Sequence, residues 1–349
     1  MFDVDIIVVA RNQINFTKGC IESIFENVSE RFHLIVVDNG STDETPAYLK
    51  EIENRRVARA KTTIVTNLEN QGYALGLNQG LTHSNAPFVL FCNNDIEFYI
   101  NAITEMILIA RTNKLFGLVN PNSNEFGLSS YDPKDVERQR GKWVERCHTS
   151  GFCVLVKREV IQKIGGIDPV FSPAYFEDMD YAERTKQAGF LCVVAKGAYV
   201  HHYGTRTFLP AEKQELWNKH KEIFKTKWGG TKWFSYVGDH RLLSDKFYRE
   251  QVRHALLELA RSETAVIYLF IPRQLASFFQ DAHDSFRIIT VSSLFRPFMA
   301  LGKVFLSHGK KPISRLYVSN QASLGLWTRT KCLHHAQTFL LPVKMVNHN

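Results

Sequence analysis

The segment YFEDMDYAER, residues 175–184, contains four closely spaced carboxylates. On a helix, Glu177, Asp180 and Glu183 fall at i, i+3 and i+6 and share a face, whereas Asp178 points elsewhere. The positive end of a helix dipole accounts for Asp180 and Glu183. It does not account for Glu177 and Asp178, whose aromatic and apolar neighbours make an ionised carboxylate costly unless it has a use. These two carboxylates are therefore candidates for a functional site.

Opposing effects act on the pKa of Asp178. Its apolar neighbours and the adjacent Glu177 raise the pKa, and a helix N-terminus at the same place lowers it. The sequence leaves the balance open.

The segment FCNNDIEF, residues 91–98, sets Asp95 directly after an apolar strand. One carboxylate with neighbouring amides holds Mg²⁺ or Mn²⁺ when a substrate diphosphate supplies the remaining oxygens. An Asx turn that closes the strand explains the same residues equally well.

Tandem histidines, His201 and His202, follow a strand-like apolar run and precede Gly204. A metal or phosphate ligand is one interpretation, and a structural histidine is the other. Only one of the two need face a site, because neighbours on an extended chain point to opposite sides.

These residues must be positioned by helices and strands. The first half of the chain alternates strand-like apolar runs with helical segments. Apolar, β-branched runs predict four strands, with helices from Phe16 to Asn27 and from Tyr73 to Thr82 between them. The predicted strands span residues 4–10, 33–38, 62–66 and 87–95. In a parallel sheet the ligand crevice lies at the carboxyl ends of the strands, so we expect Arg11, Asp38 and Asp95 to converge.

The second half of this region has fewer regular elements. Residues 120–146 predict a long polar connection. A strand and a helix that stops at Gly165 follow, and residues 191–195 predict another strand. In the segment 70–81, three glycines at four-residue spacing on a predicted helix indicate either close packing on the sheet or close approach of a ligand.

Composition and charge limit the class of protein. The 349 residues, with 44% hydrophobic and 22% charged residues, are typical of a globular chain with a sizeable core. The N-terminal segment lacks the pattern of a signal peptide, no apolar run approaches the roughly 20 residues of a membrane span, and the scattered cysteines predict free thiols. We therefore expect a cytoplasmic protein.

The basic charge lies in the C-terminal third. Residues 241–349 hold 15 Lys and Arg against 6 Asp and Glu, and no acidic residue follows Asp284. Periodicity predicts helices over residues 245–261 and 264–281, and an interfacial helix from Phe286 to Phe305. Residues 285–349 thus predict contact with an anionic membrane surface, and a helical cap with a solvated basic face is an equal alternative. No nucleic-acid recognition module is legible, so no nucleic-acid partner is expected.

As an ordered set, several segments resemble the family 2 glycosyltransferases, particularly the rhamnosyltransferase-like branch, over roughly residues 3–208. The segments are VVDNGSTDET (36–45), NQGYALGLNQG (70–80), FCNND (91–95), GFCVLVKREVIQKIGGIDPVF (151–171), FEDMDYAER (176–184) and HHYG (201–204). The resemblance implies a GT-A fold, a nucleotide-diphosphate sugar donor, a divalent cation (Mn²⁺ or Mg²⁺) and inversion at the anomeric carbon.

The resemblance also assigns roles. Asp178 would be the general base and Glu177 would orient the acceptor or the base. Asp95 and His202 would bind the metal, although Asn93 stands where the family often has a further aspartate. The residues predicted to bind the donor are Ala10, Arg11, Asp38, Asn70, Gly72, Asn78 and Asn94, with Asp38 at the nucleotide base.

These observations predict an α/β protein with a mostly parallel GT-A sheet at residues 1–235 and a mainly helical, basic extension at 236–349. The predicted activity is metal-dependent, inverting transfer of a hexosyl or deoxyhexosyl group to a saccharide or lipid-linked saccharide. Such an enzyme would build a cell-envelope polysaccharide, in the cytoplasm or at the inner membrane face. The alternative is a non-catalytic glycan- or nucleotide-binding partner in a glycan-assembly complex, which Asn93 keeps open. A nucleotidyltransferase is disfavoured because no glycine-rich phosphate loop lies near the N-terminus.

Overall fold

The computed structural model describes residues 2–125, 130–204, 210–230, 232–280, 282–291, 314–318 and 337–341. The chain divides into two compact units, Met1–Trp228 and Gly229–Asn349. The boundary predicted between residues 235 and 236 falls inside a strand of the second unit, Lys232–Val237.

A mixed sheet forms the centre of the N-terminal unit. Its strands are β1 (Val4–Ala10), β2 (Phe32–Asn39), β3 (Ala60–Asn67), β4 (Phe88–Asn93), β5 (Ile96–Phe98), β6 (Phe116–Ser123), β7 (Trp143–Arg146), β8 (Cys153–Lys157) and β9 (Leu191–His202). They follow the order β3-β2-β1-β4-β8-β6-β9-β5, and β7 pairs with β9. Strands β3, β2, β1 and β4 are mutually parallel, whereas β8 is antiparallel to β4 and β6.

Helices cover both faces of this sheet. They are α1 (Ile14–Asn27), α2 (Thr45–Glu53), α3 (Tyr73–Leu81), α4 (Ala102–Thr112), α5 (Pro133–Arg138), α6 (Arg158–Ile164), α7 (Glu177–Gln187) and α8 (Pro210–Trp228). Side chains alternate along β1: Ile6 and Val8 pack in one core cluster, and Ile7 and Val9 pack in another. A strand buried on both faces reads as a continuous β-branched run, which is why the sequence predicted it.

The carboxyl ends of the central strands coincide. Ala10 of β1 lies opposite Asp38 of β2, and Val9 lies opposite Asn93 of β4. The loops after these three strands therefore meet at one edge of the sheet, as the sequence predicted.

The predicted polar connection at residues 120–146 is wrong in large part. Residues 120–123 complete β6, and α5 and β7 also lie within the range. Asn120 and Asn122 made this strand end resemble a loop. In the structure both side chains are satisfied by backbone carbonyls, Asn120 with Cys153 at 2.6 Å and Asn122 with Lys196 at 2.6 Å.

Two glycines of α3 lie against β1. A Cβ atom at Gly80 would come within 2.4 Å of Ile7 Cγ2, and one at Gly76 would come within 2.8 Å of Val9 Cγ1. Close packing of helix on sheet therefore explains these two positions of the glycine series.

We expect Gly80→Ala to lower the free energy of unfolding by about 1–3 kcal/mol, because the added methyl overpacks the contact with Ile7. Gly19→Ala is the matched control: Gly19 lies in α1, a Cβ added there would have no atom within 4 Å, and alanine should stabilise by about 0.5–1 kcal/mol. Urea unfolding measures both. Equal effects of the two substitutions would contradict the packing explanation.

The C-terminal unit contains a parallel five-stranded sheet. Its strands are β10 (Lys232–Val237), β11 (Ala265–Pro272), β12 (Phe286–Val291), β13 (Arg315–Val318) and β14 (Gln337–Leu340), in the order β12-β11-β10-β13-β14. Every adjacent pair is parallel. The helices are α9 (Arg241–Ser244), α10 (Lys246–Glu263) and α11 (Ala276–Gln280), with a 3₁₀ turn at Arg273–Leu275.

The prediction of a mainly helical extension is therefore wrong, although the helix predicted at 245–261 is confirmed as α10. Residues 265–272 of the helix predicted over 264–281 form β11 instead. Residues 286–291 of the predicted interfacial helix form β12. Short apolar runs fit a buried strand and a buried helix alike, and parallel pairing on both sides decides for strands here. Residues 292–305, the rest of that predicted helix, lie outside the described residues. In the part of the chain that the structure describes, no helix is both long and apolar enough to cross a membrane.

Candidate functional site

A cavity of about 450 Å³ opens where the loops after β1, β2 and β4 meet. It brings together residues that are far apart in the sequence. The predicted site residues that line it are Arg11, Asn70, Gly72, Asn94, Asp95, Glu177, Asp178 and His202.

A histidine between two carboxylates forms one part of the lining. His202 Nε2 lies 3.4 Å from Asp95 Oδ1, and His202 Nδ1 lies 3.2 Å from Glu125 Oε2. The imidazole stacks on Phe152, with ring centroids 4.7 Å apart. The backbone of His202 is fixed by both atoms of the Asn124 amide. Of the tandem histidines, His202 is thus the one that faces the cavity.

Burial lowers the pKa of His202, but the hydrogen bonds and charges of Asp95 and Glu125 outweigh burial and raise the pKa above its ordinary value. A carboxylate at Nδ1 is also the usual partner of a histidine whose other nitrogen binds a metal. Carboxylate oxygens suit Mn²⁺ and Mg²⁺, whereas an imidazole nitrogen is a ligand of softer divalent metals, so the donor set fits a divalent cation and favours Mn²⁺ over Mg²⁺. Among the described residues no group of three or more His, Cys, Asp or Glu side chains forms a ready metal site, so a cation here needs further ligands.

The Glu177–Asp178 pair starts α7 and forms another part of the lining. Asp178 accepts hydrogen bonds from the backbone N–H groups of Gly151 and Met179, both at 2.8 Å. Glu177 Oε2 is buried and has no hydrogen-bond donor among the residues that the structure describes. The two carboxyls therefore have unequal surroundings.

Burial raises the pKa of both carboxyls. The pKa of Glu177 rises to about 8, from burial first and from the charge of Asp178 second. The pKa of Asp178 is also raised by burial, but the N–H groups of Gly151 and Met179 oppose this rise. Burial thus wins the balance that the sequence left open: it raises the pKa of Asp178, although the two N–H donors favour the charged form of this carboxyl.

The other two carboxylates of the segment stabilise the structure. Asp180 accepts from Arg184 Nε at 2.8 Å and from Trp228 Nε1 at 2.9 Å. Glu183 accepts from Lys186 Nζ at 2.9 Å. The sequence analysis explained Asp180 and Glu183 by the helix dipole, and the structure adds these contacts with Arg184, Trp228 and Lys186.

The turn that carries Gly151 is held by one buried side chain. Asn120 accepts from Thr149 Oγ1 at 2.8 Å and from Ser150 N at 3.1 Å, and its Nδ2 donates to the carbonyls of Ser150 and Cys153. A Cβ atom at Gly151 would lie 3.2 Å from Asp178 Cβ and 3.4 Å from Glu177 Oε1, which leaves little room for a side chain. Sequence reasoning missed Asn120 and Glu125, because both lay in the segment predicted as a loop.

An amide network forms the part of the cavity nearest β2. Asn39 donates to Asn70 Oδ1 at 2.9 Å and to the Gly72 carbonyl at 3.1 Å. Gly72 has a φ of 85°, and a Cβ there would lie 2.7 Å from Pro173 Cα. Asn39 is a lining residue that the sequence analysis did not single out.

Three of the residues predicted to bind the donor lie outside the lining. Ala10 is buried in β1, and Asp38 is buried at the end of β2, where it accepts from Ser41 N at 3.0 Å. Asn78 bonds to both the N–H and the carbonyl of Ile167 at 2.8 Å, so its amide ties two segments of the fold together. The family resemblance predicted that Asn78 binds the donor, but the helix turns its side chain toward Ile167.

Comparisons with known proteins indicate the family and the fold. Residues 5–165 match the model of the family described as "Glycosyl transferase family 2". This match supports assignment to family 2 of the glycosyltransferases. An "Uncharacterized glycosyltransferase" of Rickettsia bellii is 26% identical over 159 residues, which cover 46% of this chain and 21% of that protein. The teichoic acid poly(glycerol phosphate) polymerase of Staphylococcus epidermidis is 30% identical over 116 residues, 33% of this chain and 16% of that protein.

A solved structure gives the fold. The crystal structure of GalNAc-T7 with UDP, GalNAc and Mn²⁺ aligns with a TM-score of 0.53 and 11% identity, covering 89% of this chain and 59% of that one. Together with the mostly parallel sheet flanked by helices, this confirms the predicted GT-A fold. The chain spans about a fifth of the length of the curated relatives reported above.

We expect Glu177→Gln to stabilise the protein at pH 8 by roughly 1–3 kcal/mol, and to have little effect at pH 4. Glu177 has a folded pKa of about 8 against an ordinary value of 4.5, so the folded state binds a proton that the unfolded state releases between these pH values. Stability of the wild type therefore falls as pH rises through this window, and glutamine removes the loss. Urea unfolding from pH 4 to pH 8 measures the difference.

The matched control is Glu183→Gln on the same helix, which removes the ion pair with Lys186 and should destabilise. A gain for Glu177→Gln that does not depend on pH would contradict the raised pKa.

Proposed function

We propose that the N-terminal unit is an inverting glycosyltransferase that moves a sugar from a nucleoside-diphosphate donor to a hydroxyl group of a saccharide acceptor. The single observation that carries the proposal is the placement of Asp178 and the Asp95–His202 pair in the lining of one cavity. Such an arrangement provides a base for the acceptor and charge stabilisation for the leaving group in the same space.

The donor would lie over the carboxyl ends of β1, β2 and β4. Ligands of open α/β sheets bind there, and Asn39, Asn70 and the Gly72 backbone offer amide and peptide groups for hydrogen bonding. Arg11, exposed in the lining after β1, offers a guanidinium group to phosphate oxygens.

Asp95 and His202 would hold Mn²⁺ or Mg²⁺, with Glu125 fixing the orientation of the imidazole. A divalent cation, when bound, neutralises the negative charge that develops on the departing diphosphate. Since the described side chains form no ready metal site, the donor's phosphate oxygens would complete the coordination.

Asp178 would remove the proton of the acceptor hydroxyl as its oxygen attacks the anomeric carbon. The N–H of Gly151 holds Oδ2 in place, and the raised pKa makes the carboxylate a stronger base than an exposed aspartate. Protonated Glu177, with its buried Oε2, would donate a hydrogen bond to the acceptor or to the base. Direct attack from the side opposite the diphosphate inverts the anomeric configuration.

The biological setting follows from the same proposal. We propose a saccharide or lipid-linked saccharide as acceptor, a place in cell-envelope polysaccharide synthesis, and an inner membrane surface reached through residues 285–349, most of which lie outside the described residues. The rhamnosyltransferase-like branch, and with it a deoxyhexosyl donor, remains a prediction.

A donor screen tests the proposal. Purified protein is incubated with UDP-, dTDP- and GDP-sugars and a mixture of octyl glycosides, with Mn²⁺, with Mg²⁺ or with EDTA, and nucleoside diphosphate release is measured. We expect release from one donor, its loss in EDTA and in Asp95→Ala, and a decrease of at least about 10²-fold in Asp178→Asn because the general base is lost.

Asp132→Asn is the matched control, because Asp132 caps α5 and does not line the cavity. It should keep wild-type turnover. Donor binding by calorimetry with no turnover of any donor would contradict the enzyme and favour the binding-module alternative. Unchanged turnover in Asp178→Asn would contradict the role of that residue.

A further inference from the structure

Two aromatic side chains lie next to the carboxylate pair. Tyr175 lines the cavity two residues before Glu177. Trp217 of α8 packs against Tyr175, with ring centroids 5.7 Å apart, and against Phe176 at 4.8 Å. Trp217 nevertheless keeps 43% of its surface exposed. An exposed indole beside a cavity-lining phenol is an apolar surface of the kind on which the C–H face of a sugar ring packs.

The backbone beneath these rings is strained. Tyr175 and Phe176 have φ values of 76° and 70°, which are uncommon for residues other than glycine and costly for bulky ones. Such strain persists where the surroundings hold it, and it clusters at ligand sites. Here it turns the Tyr175 ring toward the cavity while Phe176 is buried against Phe224.

A lysine completes the surface. Lys213 lines the same cavity, lies one turn before Trp217 on α8, and places Nζ 5.9 Å from the centre of the Tyr175 ring. Within the described ranges no carboxylate forms an ion pair with it. Lys227, near the other end of α8, lies 2.7 Å from both Asp168 and Asp180. Lys227 therefore forms ion pairs that stabilise the fold, whereas the ammonium group of Lys213 can bind an anionic ligand.

Lys213 lies near the carboxylate pair, because its ammonium group is close to the Tyr175 ring and Tyr175 precedes Glu177 by two residues. Phe152, which stacks on His202, and Gly151, whose N–H bonds to Asp178, connect the pair to the proposed cation site. Arg11 after β1 and the proposed cation serve the donor diphosphate. An anion near Lys213 would thus belong to the molecule whose hydroxyl faces Asp178.

We propose that Tyr175, Trp217 and Lys213 form the acceptor subsite, and that the acceptor carries a phosphate group close to the sugar that is extended. The inference rests on the proposed glycosyltransferase function and narrows its acceptor to phosphate-bearing saccharides. The phosphate could come from a lipid diphosphate carrier or from a free sugar phosphate, and both present the same anion to Lys213.

Binding to defined probes tests this subsite. The probes are octyl-diphosphate glycosides, the corresponding sugar 1-phosphates and neutral octyl glycosides, each made with N-acetylglucosamine, glucose and galactose. Calorimetry measures their affinity for the full chain, and nucleoside diphosphate release with the donor panel is measured in parallel. We expect anionic probes of at least one sugar to bind about 10-fold or more tightly than the neutral probe.

The variant Lys213→Met removes the charge and keeps most of the side-chain length. It should abolish the preference for anionic probes and leave the neutral probe unchanged, whereas Lys219→Met, at an exposed position of α8 outside the lining, should leave all affinities unchanged. Trp217→Leu should weaken anionic and neutral probes alike. Tighter binding of the octyl diphosphate than of the sugar 1-phosphate would identify a lipid carrier as the source, and the reverse order would identify a free sugar phosphate.

Equal affinity for anionic and neutral probes, no effect of Lys213→Met, or no binding of any probe would overturn the inference. Nucleoside diphosphate release from a donor, together with equal affinities for anionic and neutral probes, would overturn this inference and leave the proposed function standing. Charge-dependent binding that requires Lys213, with no nucleoside diphosphate release from any donor, would overturn the proposed function and leave an anionic-saccharide surface.

Discussion

The hydrogen bond from the Gly151 N–H to Asp178 is the contact on which the site depends. It favours the charged form of Asp178 against the effect of burial, whereas the pKa of the adjacent Glu177 rises to about 8. It also links the two parts of the cavity, because the next residue, Phe152, stacks on His202. The turn has this geometry because Asn120, buried in β6, bonds to Thr149, Ser150 and Cys153. A single buried amide thus positions the base relative to the histidine.

The site is built at a cost to stability. Glu177 is buried with an oxygen that lacks a described hydrogen-bond donor, and two consecutive bulky residues before it adopt left-handed backbone conformations. The surrounding fold offsets these costs with contacts that do no chemistry, such as Asp180 with Arg184 and Trp228. One short acidic segment therefore contains carboxylates that line the cavity and carboxylates that stabilise the fold. Glu177 and Asp178, the first two residues of the helix, line the cavity, and Asp180 and Glu183 face the packed side.

Much of the N-terminal framework was predictable, because β1, β2 and β4 are buried on both faces and their sequences are continuous apolar runs. The coincidence of their carboxyl ends follows from parallel pairing, which placed Arg11 and Asp95 at one edge of the sheet. Glu125 and Asn120 were not predictable, since polar residues at a strand end look the same whether they make a loop or satisfy a buried turn. Asn78 was assigned to the donor through the family resemblance, but the resemblance does not say how the helix that carries Asn78 is rotated. The C-terminal sheet was missed because its strands are short and their parallel partners lie far away in the chain.

The Asp95–His202 pair should bind a metal ion together with a nucleotide. The described side chains form no ready metal site by themselves, so the nucleotide would supply further ligands. Electron paramagnetic resonance of Mn²⁺ with the full chain, alone and with UDP, GDP or dTDP, measures this coupling. We expect weak Mn²⁺ binding without nucleotide, binding at least about 10-fold tighter with one of the three diphosphates, and loss of this enhancement in Asp95→Ala. Mn²⁺ affinity that no nucleotide changes, or an enhancement that survives in Asp95→Ala, would contradict a nucleoside-diphosphate site at this cavity.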